Sequence, residues 1–307
     1  MPNHETLRAV VIGLGRMGMH HVRACMDVSD VNLVAVFDQD TDLARTVAAE
    51  TGAQPIDQLD ALVHHADLAV IAAPTLFHAD CALPLLKSGV SCLVEKPIAA
   101  TDDEARAMIE SATIGQASLG IGHVERFNPA ISALVQAIEN DLKDGAKITS
   151  LSARRINLKA DRTYDTDAVL DLMIHDLDLF NTLKLGTVVT IDTEQDATDD
   201  QVTARLILAS GVVASFDVSR VATEQDRGLV VETTLSSLHV DFTEKTVTRL
   251  VNGSAAPLPV EIQDPLRAQL KSFAATCQGQ ASIVATGEDG LAALELANDI
   301  CRKAGLL

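Results

Sequence analysis

The stretch Val10-Val11-Ile12-Gly13-Leu14-Gly15-Arg16-Met17-Gly18 restricts this chain to few folds. A short β-branched run, suited to a buried parallel strand, passes straight into G-x-G-x-x-G and then an amphipathic stretch from Arg16 to about Asp27. Gly13 permits the tight turn, Gly15 lets backbone come close to a pyrophosphate, and Gly18 lets the helix pack on the strand. The helix offers unpaired N–H groups and the positive end of its dipole to an anion. Val31 to Phe37 reads as a second strand ending at Asp38, twenty positions past Gly18, where a carboxylate can bind a ribose 2′-hydroxyl. Gln39 and Asp40 follow, with no Arg or Lys to hold a 2′-phosphate, so the reading is an NAD site, with NADP less favoured.

With 307 residues the chain can bury a sizeable core and is expected to form two domains. No apolar run approaches the roughly 18 residues of a membrane span, and the opening Met-Pro-Asn-His-Glu-Thr is not a signal core, so a cytoplasmic location is expected. Cys25, Cys81, Cys92, Cys277 and Cys301 are scattered and form no C-x-x-C pair, which suits reduced thiols in cores rather than disulfides or zinc. The net charge of −19 repels nucleic acid phosphates and anionic membranes; a saline habitat would also suit it. An anionic substrate then needs a local cationic pocket.

Residues 1–122 alternate strand and helix, the pattern of a doubly wound parallel α/β sheet, a Rossmann-type NAD-binding domain. Helices are predicted over Asp42–Glu50, Asp57–His65 and Leu76–Ser88, the last kinked at Pro84. Strands are predicted over Asp67–Ala73, Ser91–Val94 and Ala117–Gly122, and Thr101-Asp102-Asp103-Glu104 reads as a capping box opening a helix to about Ala112. The rhythm then changes, and residues 123–307 read as an α+β domain for substrate binding. Its predicted parts are a helix over Pro129–Asn140, a strand over Lys147–Ile156, and one long helix over Asp167–Leu185. β-rich runs from Val188 to Leu250 follow, with a hairpin at Ser210-Gly211 and a loop at Ala256–Pro259; strands without intervening helices imply a largely antiparallel open sheet. Helices over Pro265–Cys277 and Glu288–Ala304 close the chain, and the ligand cleft is expected between the domains.

Glu95-Lys96-Pro97 stands at the end of a predicted parallel strand, the edge that faces the ligand crevice in open α/β sheets. Pro97 stiffens the turn, and the Lys96 ammonium can hydrogen-bond a substrate oxygen and stabilise an alkoxide; a surface Lys paired with Glu95 is the plainer alternative. Asp171 and His175 lie four apart on an apolar helix and so share a face, where a carboxylate can set the tautomer and pKa of a general base. A His satisfied by a local hydrogen bond is the competing reading. A metal site drawing on Asp176 and Asp178 is weaker, since no third ligand falls at a familiar spacing, and no metal is expected.

Gly-Leu-Gly-Arg-Met-Gly, Asp38, Ala73-Pro74 with His78, Glu95-Lys96-Pro97 and Asp171-x-x-x-His175, in this order and spacing, resemble the Gfo/Idh/MocA oxidoreductases, the glucose–fructose oxidoreductase and inositol dehydrogenase superfamily. The resemblance spans essentially the whole chain. It implies Lys96 and His175 as catalytic residues with Asp171 orienting substrate or base, and Gly13, Gly15, Arg16, Met17, Gly18, Asp38, Ala73, Pro74, His78, Glu95 and Lys96 around the cofactor. It also implies a homodimer or homotetramer.

The run Gly122-His123-Val124-Glu125-Arg126-Phe127-Asn128-Pro129, with Val169–Asp176, is similar to a branch that includes UDP-N-acetylglucosamine 3-dehydrogenases. Arg126 and Asn128 are expected near sugar or cofactor, or else as a fixed ion pair and a helix N-cap. Arg155, on a strand, could meet a diphosphate, although an ordinary surface pair with Arg154 is the plainer reading; Arg162 and Tyr164, the only Tyr, precede the long helix and could touch substrate. The expected activity is NAD-dependent oxidation of a secondary hydroxyl of a sugar or nucleotide sugar, with the 3-hydroxyl of UDP-N-acetylglucosamine as first choice. The alternatives are a free-sugar or inositol dehydrogenase or reductase, or a non-catalytic dinucleotide-binding sensor or assembly subunit.

Overall fold

The computed structural model of the chain describes residues 6–59, 66–160 and 164–307, so the latter part of the helix predicted over Asp57–His65, with His64 and His65, and Arg162 lie outside the described residues. The chain divides into two units: one holds the residues up to Val124 with Asp264–Leu291, the other Glu125–Gln263 with Ala292–Leu307.

In the first unit, short apolar runs form the inner strands of a parallel sheet, with exposed residues left to its edge at Gln54–Pro55. The strands are β1 (Leu7–Ile12), β2 (Val31–Phe37), β3 (Gln54–Pro55), β4 (Leu68–Ile71), β5 (Ser91–Val94) and β6 (Leu119–Ile121), and every residue of β4 and β5 is buried. They pair in parallel in the order β6-β5-β4-β1-β2-β3, the reversal at β1 placing the glycine-rich turn at a topological switch point. The crossover helices are α1 (Arg16–Asp27), α2 (Thr41–Thr51), α3 (His78–Lys87) and α4 (Asp102–Gly115). Thr101 and Glu104 close a complete capping box on α4, and Pro84 lies inside α3, which a 3₁₀ turn at Thr75–Phe77 precedes.

The expected division at residues 122 and 123 needs a correction. The helix at Pro265–Cys277 packs against α1, where Arg267 meets Asp27 at 2.6 Å, and the strand at Ala285–Thr286 pairs antiparallel with β6 at the edge of the parallel sheet. Phe273 of that helix lies against Gly120, where even a methyl group would come within 2.7 Å of its ring. The edge of β6 offers unpaired backbone groups that a later strand can satisfy, wherever in the chain it comes from.

The second unit begins with α5 (Pro129–Lys143) and the strand β7 (Ile148–Leu158). The long helix predicted over Asp167–Leu185 is instead a π-helical turn at Val169–Met173 running into α6 (Ile174–Thr182). Strands β8 (Val188–Thr193), β9 (Gln201–Leu208), β10 (Val213–Ala222), β11 (Asp226–Thr233), β12 (Ser237–Asp241), β13 (Thr246–Val251) and β14 (Ser254–Leu258) follow. With β7 they form an eight-stranded sheet in the order β14-β13-β12-β11-β7-β10-β9-β8, antiparallel except where β7 meets β10. The Ala256–Pro259 region, expected as a loop, supplies most of β14. Pro257 is tolerated there because β14 is an edge strand and its missing N–H costs no ladder bond on the open side. Alternate residues such as Leu151 and Ala153, Ala204 and Leu206, and Ala214 and Phe216 turn to one face, where they pack with Ile131, Leu134 and Phe180 in a single core.

The closing helix, Gly287–Ala304, starts in the first unit, where Gly290 allows close approach to Ile121 and Ile98. Its later residues Ala297, Ile300 and Cys301 belong to the core of the second. All five cysteines are free thiols.

Candidate active site

The glycine-rich turn of the first unit is built to admit an anion. Gly13 has φ +84°, and a Cβ there would stand 2.7 Å from the Ala73 backbone nitrogen. At Gly18 a Cβ would come within 1.8 Å of the Gly13 carbonyl oxygen, so helix and turn touch only because the residue lacks one. At Gly15 the same position opens into empty space. Helix α1 starts there with no side-chain cap and no acidic residue in its first turn, which leaves its amides and dipole to an incoming phosphate. Arg16 and Met17 are exposed at that first turn. These features fit a dinucleotide.

Asp38 reaches the turn because β2 runs alongside β1, with Ile12 opposite Phe37. Its carboxylate accepts the Leu14 N–H at 2.6 Å and the Asp40 N–H at 2.9 Å, so the acid braces the loop beside which a ribose would bind. Asp40 in turn caps α2 through the amides of Asp42 and Leu43.

At the ends of β4 and β5 two residues expected around the cofactor have partners within the fold. The buried ring of His78 lies between two backbone carbonyls, Nδ1 at 2.9 Å from Pro97 O and Nε2 at 2.9 Å from Ala73 O. It fastens the exit of β4 to the turn after Lys96, and burial lowers its pKa against the opposing pull of those carbonyls. Glu95 is likewise turned inward: its carboxylate meets His21 Nε2 at 2.7 Å, accepts the Lys96 N–H at 3.3 Å and packs against Gly122. Burial would push the Glu95 carboxyl up, but the His21 hydrogen bond and charge, with Lys96, bring it below the ordinary glutamate value. His21 is the partner that sequence reasoning missed: its helical spacing marks it as packed but says nothing of what it packs against. Lys96 follows on the turn, before a cis Lys96–Pro97 peptide.

In the second unit, Asp171 lies in the π-helical turn and His175 in the first turn of α6, both partly exposed. Asp167 caps the segment by accepting the N–H groups of Val169 and Leu170 at 2.8 and 3.0 Å. A π turn is wider than an α turn and recurs at functional sites. Asp171 Oδ2 stands 3.6 Å from Nη1 of the buried Arg220, whose guanidinium lies under the Tyr164 ring, 3.9 Å from its centroid. Arg220, on β10, is the second residue the sequence did not single out, because its partners lie in separate segments, about twenty positions away at Asp199 and Asp200 and about fifty at Thr166 and Asp171.

Arg126 and Asn128 take the ion pair and the helix N-cap weighed as their alternatives, and Arg155 also has partners within the fold. Arg126 forms a two-pronged pair with Asp178 at 2.8 and 2.6 Å, and Asn128 caps α5 through the Ala130 N–H while donating to Glu125. Arg155 is buried, holds Asp176 through two bonds of 2.7 and 2.9 Å and Glu125 at 2.8 Å, and has its guanidinium over Phe242. A diphosphate would have to break those bonds. Asp176 and Asp178, weighed above as metal ligands, are the counterions of these arginines, and among the described residues no group of three His, Cys, Asp or Glu could hold a metal ion. Burial pushes the Asp176 carboxyl up against the pull of Arg155; burial pushes Glu125 the same way, but Arg155 and Asn128 overcome it and hold Glu125 below its ordinary value.

A switch-point crossover with a phosphate cradle and a bracing acid suits a dinucleotide, and similarity to known dehydrogenases makes the chain an NAD(P)-dependent dehydrogenase acting on CH–OH groups. Residues 7–123 match the model of the Gfo/Idh/MocA oxidoreductase family with NAD-binding Rossmann fold. The chain is 36% identical to UDP-N-acetylglucosamine 3-dehydrogenase of Acidithiobacillus ferrooxidans over 78% of its length and 76% of that protein's. It is 28% identical to inositol 2-dehydrogenase of Rhizobium meliloti over 97% of its length and 96% of that relative's. The solved structure of the Acidithiobacillus ferrooxidans enzyme superposes with a TM-score of 0.90 at 30% identity, covering 98% of both chains. The chain belongs to the Gfo/Idh/MocA oxidoreductase family. Among the described residues no helix is long and apolar enough to cross a membrane.

Proposed function

We propose that this dehydrogenase oxidises a secondary hydroxyl of a nucleotide sugar, the 3-hydroxyl of UDP-N-acetylglucosamine, with NAD as acceptor. The observation behind the substrate is the 36% identity to the UDP-N-acetylglucosamine 3-dehydrogenase across most of both chains. NAD is preferred over NADP because Asp38 follows directly on β2 and Asp40 lies two residues further, two acids where a 2′-phosphate would need a cation.

The α1 N-terminus and Gly15 hold the pyrophosphate, and Asp38 the ribose; when bound, NAD supplies the hydride acceptor. His175 takes the hydroxyl proton, Asp171 orients base or substrate, and Lys96 stabilises the developing alkoxide. Tyr164 contacts the sugar. The enzyme works in the cytoplasm as a homodimer or homotetramer.

Lys96→Ala or His175→Ala should lower kcat by about 10²–10⁴-fold with NAD binding retained, read at the nicotinamide absorbance. Wild-type turnover in both variants would end the assignment. A second reading, oxidation of a free inositol, draws on the 28% identity to the Rhizobium meliloti enzyme over nearly the whole chain. Assays of UDP-N-acetylglucosamine and myo-inositol side by side, with calorimetric titration of UDP, separate the two: no UDP binding at millimolar concentration favours the inositol.

A further inference from the structure

Arg220 is a cation committed to one position. Its Nε donates to Asp200 Oδ1 at 3.1 Å, Nη1 to the Thr166 carbonyl at 2.8 Å, and Nη2 to the Asp199 carbonyl at 2.8 Å. Nη2 also lies 2.9 Å from Asp200 Oδ1, and the Tyr164 ring covers one face of the guanidinium. The Asp199 carbonyl accepts from Ala168 N as well, and Arg220 N donates to the Asp200 carbonyl, so the segment leading into the π turn, the turn before β9 and the end of β10 are tied together at this group. A planar cation fixed on several sides can serve as a reference point for a neighbouring charge.

That neighbour is Asp171, 3.6 Å from Nη1. The charge of Arg220 is already balanced by Asp200, so folding does not require a second carboxylate beside it. Asp171, 22% exposed, reaches solvent on one side while the cation stands on the other.

We propose that Arg220 is a positioning residue of the dehydrogenase: it acts through Asp171, holding that carboxylate in the orientation the reaction uses, and Tyr164 is clamped to the same guanidinium. This rests on the reading of Asp171 as a residue of the reaction. The sequence provides a reporter, because Tyr164 is the only tyrosine of a chain without tryptophan, and tyrosine emission therefore comes from this cluster alone.

The test uses Arg220→Gln, Arg220→Lys, Asp171→Asn and the double variant Arg220→Gln/Asp171→Asn, each checked for folding by circular dichroism and assayed with NAD and both UDP-N-acetylglucosamine and myo-inositol. Arg220→Gln should lower kcat about 10–100-fold, as expected of a misplaced reacting group, with the KM for NAD within twofold. Arg220→Lys, which keeps the charge without the fork, should recover part of that loss. In the Asp171→Asn background, Arg220→Gln should add less than twofold, since the group it orients is already gone. Tyr164 emission and its quenching by acrylamide should change in Arg220→Gln and not in Asp171→Asn. If Asp171→Asn turns over like wild type, the reading of the site itself fails. If Asp171→Asn is impaired while Arg220→Lys and Arg220→Gln match wild type, or if the two losses multiply in the double variant, the inference about Arg220 fails alone. Should Arg220→Gln not fold, Arg220→Lys and its combination with Asp171→Asn decide by the same comparisons.

Discussion

Asp38 takes the Leu14 and Asp40 amides, and under the proposed function it also presents its charge to the adenosine ribose. Replacing it with Ser while Gln39 becomes Arg should lower kcat/KM for NAD about 10–100-fold, the equivalent of one charge-assisted hydrogen bond, and raise that for NADP. An unaltered NAD/NADP ratio in steady-state assays would remove Asp38 from the ribose site. Its twenty-residue spacing from Gly18 is a local fact, legible in the chain. The partners of Glu95, Arg126 and Arg155 are not local. Each charged side chain has to bury its stem and find a counterion, and which counterion comes within reach depends on how distant segments pack.

Among the elements, the strongly periodic ones matched their sequence signals. α1 and the Pro265–Cys277 helix occupy the predicted residues, and the Thr101 box opens α4 as expected. Thr101→Ala removes one side of that box and should cost about 1 kcal/mol of stability in the first unit, measured by urea unfolding. No change in midpoint would show that α4 is held by packing alone. The π turn at Val169–Met173 was not legible, because apolar spacing cannot distinguish one inserted residue in a helix that is buried along much of its surface. β14 was also missed, since Ala-Pro-Leu-Pro carries loop chemistry and becomes a strand only when β13 offers it an edge.

For the whole molecule, buried carboxylates set the acid limit of stability. Glu95 in the first unit and Glu125 in the second both have pKa values below the ordinary one, against burial, because His21 and Arg155 favour the ionised form. The unfolded chain therefore binds these protons more readily, so their contribution is present above about pH 4.3 and is lost as pH falls through the lowered folded values. Asp176, pushed up by burial, works in the opposite sense and partly offsets the loss. The urea midpoint should drop between pH 6 and pH 3.5, and Glu125→Gln, less stable at pH 6, should lose less over the same interval. An identical loss in the variant would show that Glu125 does not contribute to the acid limit.

The amino-acid sequence by itself determined the parallel α/β half, the glycine turn with its acid and the change of rhythm after residue 122, because these depend on backbone geometry and on periodicities of a few residues. Only the tertiary structure decided that residues 264–291 return to the first unit, that Arg126 and Arg155 are spent on Asp178 and Asp176, and that Arg220 stands behind Asp171. Burial, hydrogen-bond satisfaction and charge pairing are settled between segments far apart in the chain, and no local pattern records which segments will meet.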